Sequence, residues 1–316
     1  MVNARLTGSA RPSEGVTLAP VRWKLALSAA VAALALVAVG CGGSKSSASS
    51  TGGSGSSSCT KSDLALVKGG QLTVGTDNPA FPPWFGGSPK SGSTWKVSDP
   101  YSGQGFESAV AYAVAKKLGF AKNEVKWVVV PFEQSFKPGS KSFDFDVNQV
   151  SFTPERANSV DFSDSYYNVN QALVGLKGTP ITSAKSVSDV KKYKLGAQIG
   201  TTSYAYIKNN IKPSKQPSVY TTSNDVNSAL KAHQIDGIVV DLPTAFYITA
   251  VQIPNATIVG QFPTVGTPEH FGMVLAKGSK LTPCVNKALA SLKTDGTLQK
   301  IQTEWLSSKA NAPVFK

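Results

Sequence analysis

Short apolar runs alternate with segments of helical periodicity along most of the chain after residue 69. Residues 69–77 predict a turn, a short apolar strand and a strand end that carries Asp77. Residues 106–118 place apolar side chains on one helical face, and residues 125–132 form a nearly continuous apolar run typical of a buried parallel strand. The shared face of the predicted helix consists of Phe106, Val110, Ala113, Val114 and Leu118.

The alternation continues to the end of the chain. A helix is predicted to open at Thr153 and another near Thr202, with strands near 172–176, 194–198 and 237–241 between and after them. Leu298, Ile301 and Trp305 then form a stripe that packs a final helix on a core. This order favours an α/β fold with doubly wound sheets, and the length allows two lobes.

The segment between residues 78 and 105 interrupts the alternation. It is rich in proline and glycine, and it lacks both the helical and the strand period. We expect a long loop with exposed aromatic side chains here.

The first 60 residues carry targeting and tethering signals. Residues 25–40 are an apolar stretch, preceded by Arg22 and Lys24, which makes 1–40 a secretory signal peptide. Residues 41–60 are rich in serine and glycine, as expected of a flexible tether.

The junction Ala38-Val39-Gly40-Cys41 resembles a bacterial lipobox. This resemblance implies that Cys41 becomes the lipid-modified first residue and anchors the protein outside the cell membrane. Simple secretion without a lipid is the alternative.

With Cys41 assigned to the lipid, Cys59 and Cys284 remain as an even pair in an oxidising compartment. We predict a disulfide between them, and two reduced, buried cysteines are the alternative. The sequence has no CxxC and no Cys/His spacing of a metal site, so we expect no metal.

Charge and motif content exclude several classes of function. The net charge of +13 comes without a basic run interleaved with aromatics, so we expect a solvated basic surface and no nucleic-acid partner. The chain has two histidines and no HExxH, GxSxG, P-loop or GxGxxG motif. Nucleophilic, zinc and nucleotide chemistry therefore lack their parts, and we expect no catalytic residues and no cofactor.

Four motifs resemble the polar amino-acid substrate-binding proteins of ABC transporters, between Gly69 and about Leu306. They are FDFDVNQVSFTPERANSVDFSDSYY from residue 143, KLGAQIGTTS from 194, DGIVVD from 236 and FGMVLAKGSKL from 271. The resemblance implies a type II periplasmic-binding-protein fold in which the chain crosses a hinge twice. The implied ranges are 61–167 plus 271–316 for lobe 1, 171–265 for lobe 2, and 167–171 and 265–270 for the hinge crossings.

Arg156 follows a well-formed helix start, with Thr153 as the cap and Pro154 in the first turn. A solvated arginine would satisfy this pattern, but its planar fork also suits a carboxylate. The resemblance implies that Arg156 binds the ligand α-carboxylate. It also places the backbone N–H of Thr202, at a strand-to-helix turn, on the other side of that carboxylate.

Asp241 ends a predicted parallel strand, at the sheet edge where α/β folds bind ligands. Capping the next helix is the alternative role. The resemblance implies that Asp241 binds the ligand ammonium together with the Ser151 hydroxyl and the Gln149 carbonyl.

The same alignment brings four side chains near the part of the cleft that would select the ligand side chain. Core or loop packing is the alternative for the aromatic ones. The family resemblance implies a small polar amino acid of the cystine, glutamate or glutamine type, and the run Asn148-Gln149-Val150 resembles the cystine-binding branch. The four residues are Asp77, Phe81, Trp84 and Phe132.

These features predict a monomeric extracytoplasmic receptor that closes around an amino acid and delivers it to a membrane permease. Two alternatives on the same fold remain at this point. One is a sensor or adhesion lipoprotein, and the other is an enzyme similar to the cyclohexadienyl dehydratases.

Overall fold

A computed structural model describes residues 58–306 and 312–316. The predicted signal peptide, most of the tether and Cys41 lie outside the described residues. Within the described part of the chain, no helix has the length and apolarity needed to cross a membrane.

Strands and helices alternate along the described residues. The strands are β1 (Leu72–Thr76), β2 (Val125–Val129), β3 (Phe145–Asp146), β4 (Val160–Phe162), β5 (Tyr167–Asn168), β6 (Gln171–Leu176), β7 (Leu195–Gln198), β8 (Ser218–Tyr220), β9 (Gly237–Asp241), β10 (Ala256–Gln261), β11 (His270–Phe271) and β12 (Val274–Ala276). The helices are α1 (Phe106–Lys117), α2 (Phe132–Ser135), α3 (Pro154–Ala157), α4 (Val187–Val190), α5 (Thr202–Tyr206), α6 (Ser223–Lys231), α7 (Leu242–Tyr247), α8 (Thr282–Thr294) and α9 (Thr297–Leu306).

The first sheet has the strand order β2-β1-β3-β12-β4. Strands β1, β2 and β3 run parallel, while β12 is antiparallel to both of its neighbours. Helices α1, α8 and α9 contribute to the core that covers β1, which is buried at every position. Burial on both faces is expected of a parallel strand inside a sheet, and here it includes the two threonines Thr73 and Thr76.

The second sheet has the order β10-β6-β9-β7-β8. Strands β9, β7 and β8 are parallel, β6 is antiparallel to β9, and the edge strand β10 is antiparallel to β6. Two smaller apolar clusters cover it. The two mixed α/β sheets confirm the predicted fold class.

Strands β5 and β11 form a short antiparallel ladder at the two places where the chain passes between the sheets. The predicted crossings at 167–171 and 265–270 coincide with this region. Their action as a hinge stays a prediction.

The predicted disulfide between Cys59 and Cys284 is formed, with the Cα atoms 5.5 Å apart. It joins the segment before β1 to the buried face of α8. The prediction is confirmed, and the alternative of two reduced cysteines is excluded.

The long loop differs from the expectation of exposed aromatics. Trp84, Phe85 and Trp95 are 1%, 2% and 6% exposed. The segment folds back on α1, since Phe106 and Glu107 donate backbone hydrogen bonds to the carbonyls of residues 83 and 84. Proline and glycine prevent regular structure, but they do not keep a loop away from the core.

The chain terminus also differs from the expected division into lobes. Residues 312–316 pack on the second sheet, although they were assigned to lobe 1. Phe315 is 5% exposed, its ring lies 5.0 Å from that of Phe262, and its backbone N–H donates to the Gln261 carbonyl. Gly260 leaves room for the ring, since a Cβ there would lie 2.9 Å from Phe315.

Candidate functional site

A cavity of about 460 Å³ lies between the two sheets, at the carboxyl ends of their parallel strands. Both sheets contribute to its walls, as expected for a ligand site in an α/β protein. Ser151 lies beside the cavity, with its Oγ 3.4 Å from Thr202 Oγ1. The structure thus brings the predicted residues together, and those in the cavity wall are Asp77, Phe81, Trp84, Phe132, Gln149, Arg156, Thr202 and Asp241.

Arg156 is held by the start of α3. The Thr153 hydroxyl accepts from the Arg156 N–H at 3.1 Å and Pro154 occupies the first turn, so the local structure follows the predicted cap. The guanidinium lies 4.3 Å from the ring centre of Phe136 and 5.6 Å from that of Phe132. These aromatic faces fix the plane of the cation and shield it from water.

The hydrogen bonds of Arg156 go to main-chain oxygens on both sides of the cleft. Nη1 donates to the Ser151 carbonyl at 2.6 Å, and Nη2 donates to the Gly200 carbonyl at 2.8 Å. Burial lowers the pKa of Arg156 to about 10, so the group stays charged at neutral pH. No carboxylate among the described residues forms a salt bridge with it. The charges of Glu269 and Asp241 favour the charged guanidinium through space, and a ligand carboxylate would add a direct ionic contact.

Thr202 is the first residue of α5, after Thr201 has capped the helix by accepting from Tyr204. Backbone N–H groups at this position have no partner within a helix and attract anions. Since the Gly200 carbonyl of the same turn accepts from Arg156, this turn and the guanidinium are neighbours across the cleft.

Asp241 lies at the end of β9, directly opposite Gln171 of β6 in the antiparallel register. The Gln171 amide nitrogen donates to Asp241 Oδ1 at 2.7 Å and to Glu269 Oε2 at 3.0 Å. Its amide oxygen accepts from the Ser203 hydroxyl at 2.7 Å, so the orientation of the amide is determined. One buried glutamine therefore links two carboxylates.

The second of these carboxylates also joins the two predicted hydroxyl groups. Glu269 Oε1 accepts from Ser151 Oγ and from Thr202 Oγ1, each at 2.5 Å. Burial raises the pKa of Asp241 well above its usual value, and the nearby charge of Glu269 raises it further. This end of the cavity thus concentrates negative charge.

Gln149 has a left-handed backbone, with φ of 49°. A non-glycine residue keeps this conformation only where its surroundings hold it. The buried carboxylate of Glu107 accepts from the Gln149 N–H at 2.7 Å, from the Gln149 side-chain amide, and from the Tyr166 hydroxyl at 2.5 Å. Burial raises the pKa of Glu107 to about 7.

The four residues predicted to line the side-chain pocket have different environments. Asp77 is half-buried, and burial raises its pKa. Phe81 packs near Tyr247, with 6.1 Å between the ring centres. Trp84 is almost wholly buried and donates from Nε1 to Thr244 Oγ1 at 2.9 Å. Trp84 thus also has the packing role that was its alternative, while Phe132 packs on Phe136 at 5.3 Å.

Four contributors to the site are absent from the sequence predictions: Glu107, Phe136, Gln171 and Glu269. Gln171 is a polar residue at the start of an otherwise apolar strand, which is a weak signal for a buried network. Glu107 lies in the first turn of a predicted helix, where an acidic residue is common without any role in a site. Nothing in the local pattern around Phe136 or Glu269 distinguishes them.

Residues 72–308 match the family model for bacterial extracellular solute-binding proteins, family 3. The L-cystine-binding protein TcyJ of Escherichia coli K12 is 29% identical over 65% of this chain and 74% of its own length. The glutamine-binding protein GlnH of Bacillus subtilis is also 29% identical, over 66% of this chain and 76% of its own. A solved ancestral arginine-binding protein bound to glutamine is 32% identical, covers 75% of this chain and 98% of that chain, and has a TM-score of 0.60.

Proposed function

Because the chain belongs to family 3 of the bacterial extracellular solute-binding proteins, we propose that its cleft binds one α-amino acid as a zwitterion. The α-carboxylate faces Arg156 and the Thr202 N–H. The α-ammonium faces Asp241, the Ser151 hydroxyl and the Gln149 carbonyl. The observation that carries this proposal is that one cavity is lined both by the Arg156 guanidinium, which forms no salt bridge with a described carboxylate, and by the buried carboxylate of Asp241.

The chain is an extracytoplasmic binding component of an ABC importer, and it is not an enzyme. The relatives named above are amino-acid-binding proteins. Delivery to a permease requires that the ligand be held reversibly, and the hydrogen bonds and ionic contacts of this cleft suit reversible binding.

Charge in the cavity wall favours some side chains over others. Asp77, Glu133 and Asp241 contribute carboxylates, and Arg156 is the one cation among the described residues of the wall. An anionic side chain would add repulsion to this excess. Within the expected set, the cystine and glutamine types are therefore favoured over glutamate, and a cationic side chain such as that of arginine also suits the charge.

Closure of the two lobes follows from the same contacts. Arg156 belongs to the first lobe, whereas Thr202 and Asp241 belong to the second, so one zwitterion contacts both. Charge-assisted contacts of roughly 1.5–3 kcal/mol each can bias two states that differ by a few kcal/mol. The β5–β11 ladder is where we place the hinge.

We further propose that Cys41 carries the lipid that anchors the protein to the outer face of the cell membrane, and that the protein is a monomer. Residues 41–60 would then act as the tether. Mass spectrometry of the N-terminal peptide from purified membranes tests the anchor, since an unmodified secreted chain contradicts it.

Isothermal titration of the full chain in detergent with L-cystine, L-glutamine, L-arginine and L-glutamate tests the ligand class. We expect saturable binding of at least one neutral or cationic amino acid and weaker binding of L-glutamate. Ligand at 100 times its dissociation constant should also stabilise the fold by about 2.7 kcal/mol. Failure of every amino acid to bind would contradict the proposal.

A further inference from the structure

Glu269 is a half-buried residue that directly precedes β11. Its backbone carbonyl accepts from the Val169 N–H at 3.0 Å, which fixes the main chain beside the β5–β11 ladder. The side chain leaves this anchored backbone and enters the region between the two sheets. Its position is therefore set by the point at which the chain returns to the first sheet.

Three separate parts of the fold donate hydrogen bonds to the Glu269 carboxylate. Ser151, before α3, and Thr202, in α5, donate hydroxyl hydrogens to Oε1 at 2.5 Å each. Gln171, in β6, donates from its amide to Oε2 at 3.0 Å. A substitution of Glu269 would therefore remove hydrogen bonds on both sides of the cleft and at a crossing between the sheets.

The direction of these bonds determines what the cleft offers to a ligand. A carboxylate only accepts hydrogen bonds, so both hydroxyl hydrogens point at Glu269. The lone pairs of Ser151 Oγ and Thr202 Oγ1 are then left to accept from another group. A group with several donors, such as an ammonium, matches an array that consists of acceptors.

Charge supports the same ligand chemistry. Asp241 and Glu269 receive hydrogen bonds from the same Gln171 nitrogen, so two carboxylates share one neutral donor. Among the described residues, neither carboxylate forms a salt bridge with a lysine, arginine or histidine. A cation placed between them would relieve their mutual repulsion.

We propose that Glu269 is a positioning and specificity residue for the ligand α-ammonium: it orients the Ser151 and Thr202 hydroxyls as acceptors and adds a second negative charge beside Asp241. This inference rests on the proposed function. It adds to that proposal that Glu269, where the chain passes back to the first sheet, makes the site require an α-amino group.

The test compares Glu269→Gln with the wild type in the full chain in detergent. The titrants are the tightest-binding amino acid of the ligand panel and its analogue with hydrogen in place of the α-amino group. Glu155→Gln is the matched control. It removes the same charge near Arg156, but Glu155 is exposed at the start of α3 and has no part in the Glu269 contacts.

We expect Glu269→Gln to weaken binding of the amino acid roughly 10- to 100-fold, the size of one charge-assisted contact. The deaminated analogue should bind the variant and the wild type equally. Glu155→Gln should leave both affinities within about twofold. Glu269→Asp, which keeps the charge but is one methylene shorter, should give an intermediate loss and tests the idea if the glutamine variant fails to fold.

Three results would overturn the inference. Equal losses for the amino acid and its analogue would mean that Glu269 has only a structural role. Tighter binding by Glu269→Gln would mean that the carboxylate competes with the ligand, and unchanged binding would remove it from the site. If the wild type binds no amino acid, both this inference and the proposed function fail, whereas the other three results leave the proposed function intact.

Discussion

A buried cation and a pair of carboxylates lie at the two ends of the cavity, and each is held by a different set of partners. At one end, Arg156 stacks on Phe136 and donates to two main-chain carbonyls, without a salt bridge to any described carboxylate. At the other end, Asp241 and Glu269 share the amide of Gln171 and receive no salt bridge from a described cation. Each end is held by neutral hydrogen-bond partners, although Glu269 and Asp241 also favour the charged form of Arg156 through space.

The ends also differ in how the chain assembles them. The guanidinium end is mostly local, since Ser151, Thr153 and Arg156 lie within six residues, and the Gly200 carbonyl adds one contact from across the cleft. The carboxylate end requires β6, α5, β9 and the segment before β11 to meet. The guanidinium end thus depends mainly on one short segment, whereas the assembled end depends on both sheets and both crossings.

Arg156→Ala should have the largest effect. It removes the fork that binds the carboxylate, and we expect a loss of binding free energy of roughly 3–6 kcal/mol, the value of two charge-assisted contacts. Titration with the amino acid of the panel measures it. Arg156→Lys retains the charge without the planar fork and should lie between the variant and the wild type. Unchanged affinity in Arg156→Ala would remove this end from the site.

Glu107→Gln tests the buried carboxylate that holds Gln149 in place, through the pH dependence of stability. Because burial raises the pKa of Glu107 from 4.5 to about 7, the folded state holds this proton more tightly than the unfolded chain. Its contribution to the free energy of unfolding is therefore greatest below about pH 4.5 and is lost as the pH rises to about 7. The full change is of the order of 3 kcal/mol.

Chemical denaturation of the ligand-free protein between acidic and neutral pH measures this slope. The Glu107→Gln variant should show a shallower slope, because a glutamine does not titrate while other buried carboxylates with raised pKa values, such as Asp241, still do. Glu124→Gln, at an exposed ion pair with Lys61, serves as the comparison and should keep the wild-type slope. An identical slope in both variants would contradict the assignment to Glu107.

Asp241→Asn, at the carboxylate end, should change ligand affinity and the stability of the ligand-free protein in opposite directions. We expect binding to weaken by roughly 1.5–3 kcal/mol, as for the loss of one ionic contact. The ligand-free protein should become more stable, since an asparagine still accepts from Gln171 but no longer repels Glu269. Asp236→Asn, just before the opposite end of β9, should leave affinity unchanged. A variant that binds normally would exclude Asp241 from the ammonium site.

Phe136→Ala should have the smallest effect on binding. It removes the closer aromatic face from Arg156 but leaves both carbonyl contacts, so we expect a loss of about 1–2 kcal/mol. Phe120→Ala is the control for stability, since Phe120 is buried in the first core and faces Lys61. Both variants should unfold at lower temperature, and only Phe136→Ala should bind more weakly.

The contrast between local and assembled parts of the site also explains which features could be predicted from the sequence. The cap at Thr153, the strand ends at Asp77 and Asp241, and the disulfide all follow from short patterns or residue counts. Glu269 and Gln171 depend on the β6–β9 register and on where the return crossing meets the cleft. No pattern within one segment contains that information.

The errors have a similar origin. The loop after β1 has the composition of an irregular segment, yet Trp84 and Phe85 are buried where its backbone hydrogen-bonds to the start of α1, and Trp95 is buried where the loop bonds back to residues 78 and 80. Phe315 could not be assigned to the second sheet because its pocket exists only when Gly260 faces it. Composition indicates whether a segment forms regular secondary structure. Whether its side chains are buried depends on partners that are distant in sequence.

A crystal structure of the protein with the tightest-binding amino acid of the panel tests the orientation of the zwitterion most directly. We expect the α-carboxylate within hydrogen-bonding distance of the Arg156 guanidinium and the Thr202 N–H. The α-ammonium should contact Asp241 and the Ser151 hydroxyl, with Glu269 still accepting from Ser151 and Thr202. A ligand bound in the reverse orientation, or outside this cavity, would contradict the proposed division of the site.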